Sequence, residues 1–143
     1  MSSIFKVAAT VDQVNERGQN TLAQHLGIEF IEIGEDYLKA IMPVDHRTKQ
    51  PMGILHGGAS AAFAETLGSI ASLLCVDTPN TFPVGVEINV NHLKSVSDSF
   101  ITGIVKPIRI GRNIHVWNIE MYNQNKEMTA ISRLTVMLIN KKT

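Results

Sequence analysis

Between Gly57 and Val76 the sequence offers no polar face. Ala59, Ala61, Ala62, Phe63, Ala64, Leu67, Ile70, Ala71, Leu73 and Leu74 occupy every side of the helical wheel. A helix that is apolar all round is expected to be surrounded by protein. Whatever else this chain does, it has to wrap something round that helix. The wrapping material follows directly. Val84, Val86, Ile88 and Val90 alternate with Gly85, Glu87, Asn89 and Asn91, a period of two. Phe100 to Arg112, Ile114 to Tyr122 and Met128 to Asn140 are three further segments rich in Ile, Val and Thr. The stretch "YNQNKE" reads as a hairpin turn between the last two.

Ahead of the helix, Val11 to Leu26 reads as helical, broken near Gly18, with Thr10 or Asp12 as its cap and Gly27 beyond its end. "GIEFIEIGEDYLKAIMPVD" reads as a hairpin turning at Gly34-Glu35-Asp36, and Pro43 and Pro51 bracket an irregular loop. The expected architecture is α+β: a strongly curved antiparallel sheet wrapped round one long helix. At 143 residues the chain suits a single domain spanning residues 1–143. Segments such as His115-Val116-Trp117-Asn118-Ile119 are apolar on both faces. That implies a covered outer sheet face, most simply by another copy of the chain.

Composition removes several classes of function. Thirteen Lys and Arg balance thirteen Asp and Glu, so no general attraction to nucleic acid or membrane is expected. Cys75 is the one cysteine, which excludes an internal disulfide framework and a cysteine-rich zinc site and reads as a buried small apolar residue. His25, His46 and His115 have no metal-ligand spacing, so no metal and no cofactor are expected. Ser60 lies in Gly58-Ala59-Ser60-Ala61-Ala62, which lacks the second glycine of a nucleophile elbow. The N-terminus has no continuous apolar stretch of the secretory kind, since Lys6, Asp12 and Glu16 interrupt it. A cytoplasmic location is the default expectation.

One charge interrupts the apolar helix, Glu65. A buried carboxylate is costly unless protonated or hydrogen-bonded, and such groups cluster at functional sites. The residue is therefore either a satisfied structural carboxylate or a working one. Ser69 follows four residues later on the same face, placed to hold a water or orient the carboxylate. Gly57 and Gly58 open the helix, where free backbone N–H groups and the helix dipole favour developing negative charge. Gly57 and Glu65 are eight residues apart, about 12 Å along a helix axis. An acyl carbon has to lie about 3 Å from both the oxyanion donor and the attacking group. One helix does not easily supply both, whereas two copies do. The expectation is a composite site at a homodimer interface, Gly57 from one chain and Glu65 from the other.

The segment "QPMGILHGGASAAFAETLGSIAS", with "PVDHRTKQPMGILHGGAS", "VGVEINVNH" and "SRLT", resembles hot-dog-fold acyl-CoA thioesterases of the 4-hydroxybenzoyl-CoA and phenylacetate-pathway type. Within that family it is most similar to the 1,4-dihydroxy-2-naphthoyl-CoA hydrolase group. The resemblance runs from Leu26 to Leu138, and its specific mark is His-Gly-Gly with a Glu nine residues after the His. It implies a hot-dog fold and a homodimer, often doubled to a homotetramer. It implies that Glu65 is the catalytic carboxylate and that the Gly57 N–H meets the thioester carbonyl. Gln50 and His56 would line or organise the site, and Ser69, where the family often has threonine, would assist Glu65 or water. Gly85, His92, Leu93, Lys94, Ser95, Arg109, Gly111, Arg112 and Asn113 would contact substrate or coenzyme A.

The implied reaction is hydrolysis of an acyl-CoA to free acid and coenzyme A, with an aromatic acyl group preferred on the resemblance. Glu65 would act as general base on water or as nucleophile through a short-lived anhydride. Lys94, Arg109, Arg112 and Arg133 are candidates for the coenzyme A phosphates, against the alternative of plain solvated charges. His56 is either a helix cap or a proton-transfer group, and His92 either packs or lines the pocket. Two rival functions stay open: a hot-dog hydratase or dehydratase, and a non-catalytic binder of acyl-CoA or aromatic ligands. No His follows Gly58 within the helix, which disfavours the first. The buried base disfavours the second.

Overall fold

The computed structural model describes residues 2–141. Two short helices come first, α1 (Val11–Glu16) and α2 (Leu22–His25). Thr10 caps α1 through a capping box: its hydroxyl accepts from the Gln13 N–H, and the Gln13 side chain accepts from the Thr10 N–H. Turns at 17–20 separate the two helices, with Asn20 at φ 62°, and Gly27 at φ +75° ends the second. The hairpin of β1 (Glu29–Ile33) and β2 (Leu38–Pro43) follows, then the loop to α3 (Gly57–Leu74). The long strands β3 (Thr81–His92), β4 (Phe100–Ile110), β5 (Ile114–Tyr122) and β6 (Met128–Asn140) complete the chain.

All six strands form one antiparallel sheet in the order β1-β2-β4-β5-β6-β3. The side facing α3 is the core. It carries Leu38, Ala40 and Met42 from β2, Ile101 and Val105 from β4, Trp117, Ile119 and Met121 from β5, and Ala130, Leu134 and Val136 from β6. Helix α3 touches β2, β3, β4, β5 and β6, so the sheet curves round it. Two glycines let helix and sheet approach closely. A β-carbon at Gly68 would overlap Leu134, and one at Gly103 would stand 2.7 Å from Phe63.

The helix is not buried on every side, as its composition leads one to expect. Ala59, Ser60, Phe63, Ala64, Leu67, Gly68, Ala71, Ser72 and Leu74 are buried. Ala62, Glu65, Thr66, Ser69, Ile70 and Leu73 form a half-buried stripe. The reason is geometric: six strands of one chain cover only part of a helix's circumference. The stripe lies beside β3, which pairs only with β6 among the described residues and so presents a free edge.

Beneath the C-terminal half of α3 lies a small polar cluster inside the core. The Trp117 Nε1–H donates to Ser72 Oγ at 2.6 Å, and Ser72 Oγ is 2.9 Å from His115 Nδ1. Cys75 is buried next to the end of the helix, and burial pushes its thiol up to about 11. This matches the reading of an inert packed cysteine.

Candidate active site

The N-terminus of α3 is built by its cap. His56 is extended (φ −68°, ψ 130°), and its Nδ1 accepts the Gly58 N–H at 2.7 Å. An accepting Nδ1 leaves the proton on Nε2. His56 is therefore the helix cap. The cap uses the Gly58 N–H and leaves that of Gly57, the first helical residue, without an acceptor among the described residues.

The loop before the helix shapes the approach to that N–H. Thr48 takes the His56 N–H on its carbonyl, and Leu55 donates to the Val96 carbonyl. Gln50 makes a tight turn in which its own Oε1 accepts the Met52 N–H, leaving its amide N–H groups to point elsewhere. Gln50, Gly57, His92, Leu93, Lys94 and Ser95 line one cavity of about 360 Å³. Six residues predicted from sequence are thus brought together. The His92 ring lies against Gly57, since a β-carbon there would stand 3.0 Å from His92 Nε2. Lys94 is occupied by Glu127 at 3.0 Å.

Glu65 stands elsewhere. It lies two turns further along α3, on the half-buried stripe, and shares a different cavity of about 350 Å³ with Thr66 and Ser69. Its carboxylate meets no cation and no hydrogen-bond donor among the described residues, and loss of solvent raises its pKa. Gly85 on β3 makes room for it: a β-carbon there would overlap the carboxylate. Gly85 sits where β3 shifts register against β6, between Gly85 and Glu87. Its place is therefore beside the Glu65 carboxylate.

The third predicted group falls at the opposite end of the molecule. Gly111, Arg112 and Asn113 line a cavity of about 580 Å³ with Lys6, Asp77 and His115, beside the C-terminus of α3. Arg109 is exposed and lies against Gly111, and Arg133 is exposed between the buried Ser132 and Leu134 of β6. Within one chain, the residues of the 109–113 turn do not meet Gly57 or Glu65. No group of three or more His, Cys, Asp or Glu able to hold a metal occurs among the described residues. No helix among them is long and apolar enough to cross a membrane.

The sequence reading did not find the remaining walls of the Glu65 cavity, which include Val14, Leu22, Ile28, Phe30, Thr66 and Ile70. Thr66 and Ile70 carried a usable signal, since each directly follows a member of the Glu65 and Ser69 pair and the two are themselves four residues apart on α3. The four from the N-terminal segment carried none, because only tertiary packing brings them to α3.

The family profile described as the thioesterase superfamily matches residues 52–130 of the chain. The 1,4-dihydroxy-2-naphthoyl-CoA hydrolase of Escherichia coli is 41% identical over 95% of this chain and 99% of its own. A proofreading thioesterase of Cronobacter turicensis is 42% identical over 95% of this chain and 98% of its own. The crystal structure of a thioesterase from Haemophilus influenzae superposes with a TM-score of 0.93 at 44% identity, covering 96% of this chain and 95% of that one. The architecture described above is accordingly the hot-dog fold.

Proposed function

The chain belongs to the thioesterase superfamily and is a hydrolase of thioester bonds, and from that premise we propose that it cleaves an aromatic acyl-CoA with Glu65 as the base. The observation that carries the reading is the isolated carboxylate. Glu65 is half-buried, unpaired and raised in pKa by desolvation, and it faces a largely apolar cavity. Nothing in the fold requires a charge there. A raised pKa makes the ionised form a stronger base.

In the proposed reaction, Glu65 takes a proton from water as the water oxygen bonds to the acyl carbon. The carbonyl oxygen becomes an oxyanion and accepts the Gly57 N–H. The carbon–sulfur bond then breaks, the carbonyl re-forms, and the thiolate of coenzyme A takes the proton from Glu65. Gln50 donates an amide N–H to the thioester or the water, His56 holds the helix start in shape, and Ser69 orients the water or the carboxylate. His92, Leu93, Lys94 and Ser95 line the approach from the Gly57 side. No cofactor or metal takes part.

The site needs two chains. Gly57 and Glu65 lie on separate cavities of one protomer, about 12 Å apart along α3. In a homodimer, the free edge of β3 and the half-buried stripe of α3 meet their copies across a two-fold axis, bringing Gly57 of one protomer to Glu65 of the other. The outer sheet face carries an apolar groove lined by Ile31, Ile41, Phe100, Ile104 and Tyr122, which supports doubling to a homotetramer. Gly111, Arg112 and Asn113 would then serve coenzyme A from a second protomer. The aromatic preference is supported by the name of the Escherichia coli relative.

The test is release of free thiol from a panel of aryl and aliphatic acyl-CoAs by the wild type and by Glu65→Ala. Aryl thioesters turning over in the wild type, with at least a 100-fold loss in a folded variant, is the expected result. Full activity without Glu65 would remove it from the mechanism. Binding of acyl-CoA without turnover would instead bring the ligand-binding alternative forward.

A further inference from the structure

The cavity that Glu65 faces has one wall from α3 and the other from the N-terminal segment. Val14, Leu22, Ile28 and Phe30 stand opposite Glu65 and Ile70. That second wall belongs to elements too short to be stable alone, one helix of six residues and one of four. One side chain fastens it. Asn15 Nδ2 donates to the Phe30 carbonyl at 2.9 Å, and the Phe30 N–H donates to Asn15 Oδ1 at 2.8 Å. Phe30 lies on β1, the edge of the sheet, immediately before its register shift. The Asn15 amide thus imitates a neighbouring strand, satisfies both edge groups and ties α1 to β1. Next to it, Val14 is buried in the core. Leu22, in contrast, is 60% exposed while lining the cavity, a large apolar side chain held at the mouth.

We propose that the segment 14–30 is the wall that selects the acyl group, with Leu22 setting the width of the mouth and Asn15 acting as the positioning residue that fixes the wall against Glu65. This rests on the reading of Glu65 as the group that acts on the thioester. The wall is largely apolar, with Arg17 and Thr21 also lining the cavity, which at about 350 Å³ is at the small end of the range for small-molecule sites. The class it takes is a compact aryl or medium-length acyl group.

The experiment measures kcat and KM for acetyl-, hexanoyl-, benzoyl-, 2-naphthoyl- and palmitoyl-CoA with wild type, Leu22→Trp, Leu22→Ala, Asn15→Ala and Asn15→Asp. Leu22 is exposed, so its variants are expected to fold even where an Asn15 variant does not. Leu22→Trp is expected to lower kcat/KM for 2-naphthoyl-CoA relative to acetyl-CoA at least tenfold, and Leu22→Ala to move the ratio towards larger groups. Asn15→Ala is expected to raise KM for the aryl thioesters at least tenfold more than for acetyl-CoA. Asn15→Asp, which keeps the acceptor but loses the donor, should fall between. Unchanged ratios in both Leu22 variants would overturn the proposal, as would a uniform loss across the panel. The reading of Glu65 is separated by binding of a 2-naphthacyl-CoA thioether, which cannot be hydrolysed, to Glu65→Ala protein. There Leu22→Trp is expected to weaken binding at least tenfold whatever Glu65 does, and equal binding overturns the wall.

Discussion

Glu65 is ionisable in a place that penalises ionisation, and two opposite consequences follow for one substitution. Its folded-state pKa lies above the ordinary carboxylate value of 4.5. The folded protein therefore holds this proton more tightly than the unfolded chain does. The stability from that proton is fully present below the unfolded value and is lost as pH rises through the folded one. At neutral pH the ionised group is a burden. Glu65→Gln is expected to abolish turnover by at least 100-fold while leaving Tm equal or higher, measured by thiol release and thermal unfolding on the same preparation. The acid limb of kcat/KM should fall above the ordinary carboxylate range and vanish with the carboxylate. Gly85→Ala tests the same group from outside: the three atoms nearest its β-carbon all belong to the Glu65 carboxylate. Activity is expected to fall at least tenfold, with Tm nearly unchanged.

His115 behaves in the opposite sense. It is 2% exposed, and burial, helped by the positive charge of Lys6, holds its pKa below 6.5. The unfolded chain takes up the proton first as pH falls. Stability is therefore expected to decline below about pH 6.5 until the folded pKa is reached. Among the described residues, Ser72 Oγ is the one hydrogen-bonding partner of both His115 Nδ1 and Trp117 Nε1. Ser72→Ala leaves buried groups unpaired and is expected to cost about 1–3 kcal/mol in denaturant unfolding, with kcat unaffected.

At the scale of the element, helix α3 joins stability and chemistry at its first turn. His56 and Gly57 occupy the cap and first helical positions, and proline is well tolerated at the latter. The extended backbone of His56 also suits a residue before proline. Gly57→Pro therefore removes the N–H with little harm to the helix, although its ring has to displace His92 slightly. A loss of about 100- to 1,000-fold in kcat is expected, with the far-ultraviolet circular dichroism unchanged. His56→Asn should keep the cap and most activity, whereas His56→Ala should lose about 1 kcal/mol of stability. A histidine that transferred protons would not be rescued by asparagine.

At the scale of the whole molecule, the two-chain site predicts complementation. Gly57→Pro and Glu65→Gln protomers are each inactive alone. Refolded together in equal amounts, half the dimers are mixed, and each mixed dimer holds one site with both native residues. Recovery of about a quarter of the wild-type activity is expected. A site contained in one chain would recover none. Size-exclusion chromatography with light scattering reads the assembly directly.

How much of this was legible in the sequence depends on how local each cause is. The break at Gly18, the Thr10 cap, the hairpins and the long strands are set by neighbours within a few residues, and pattern alone places them. The His-Gly-Gly start and Glu65 stand out because a charge in an apolar helix violates the local pattern. The sequence also separates Gly57 from Glu65 by two helical turns, which follows from rise per residue alone. What the tertiary structure decided is everything that depends on which surfaces meet. Curvature of the sheet leaves a half-buried stripe on a helix that looked apolar all round. A register shift places Gly85, a strand residue without a β-carbon, beside the carboxylate. An asparagine in the first helix completes the edge of a strand fifteen residues away, and so sets a wall opposite Glu65. These are long-range contacts, chosen by the packing of the whole chain, and no window of sequence contains both partners together with the space between them.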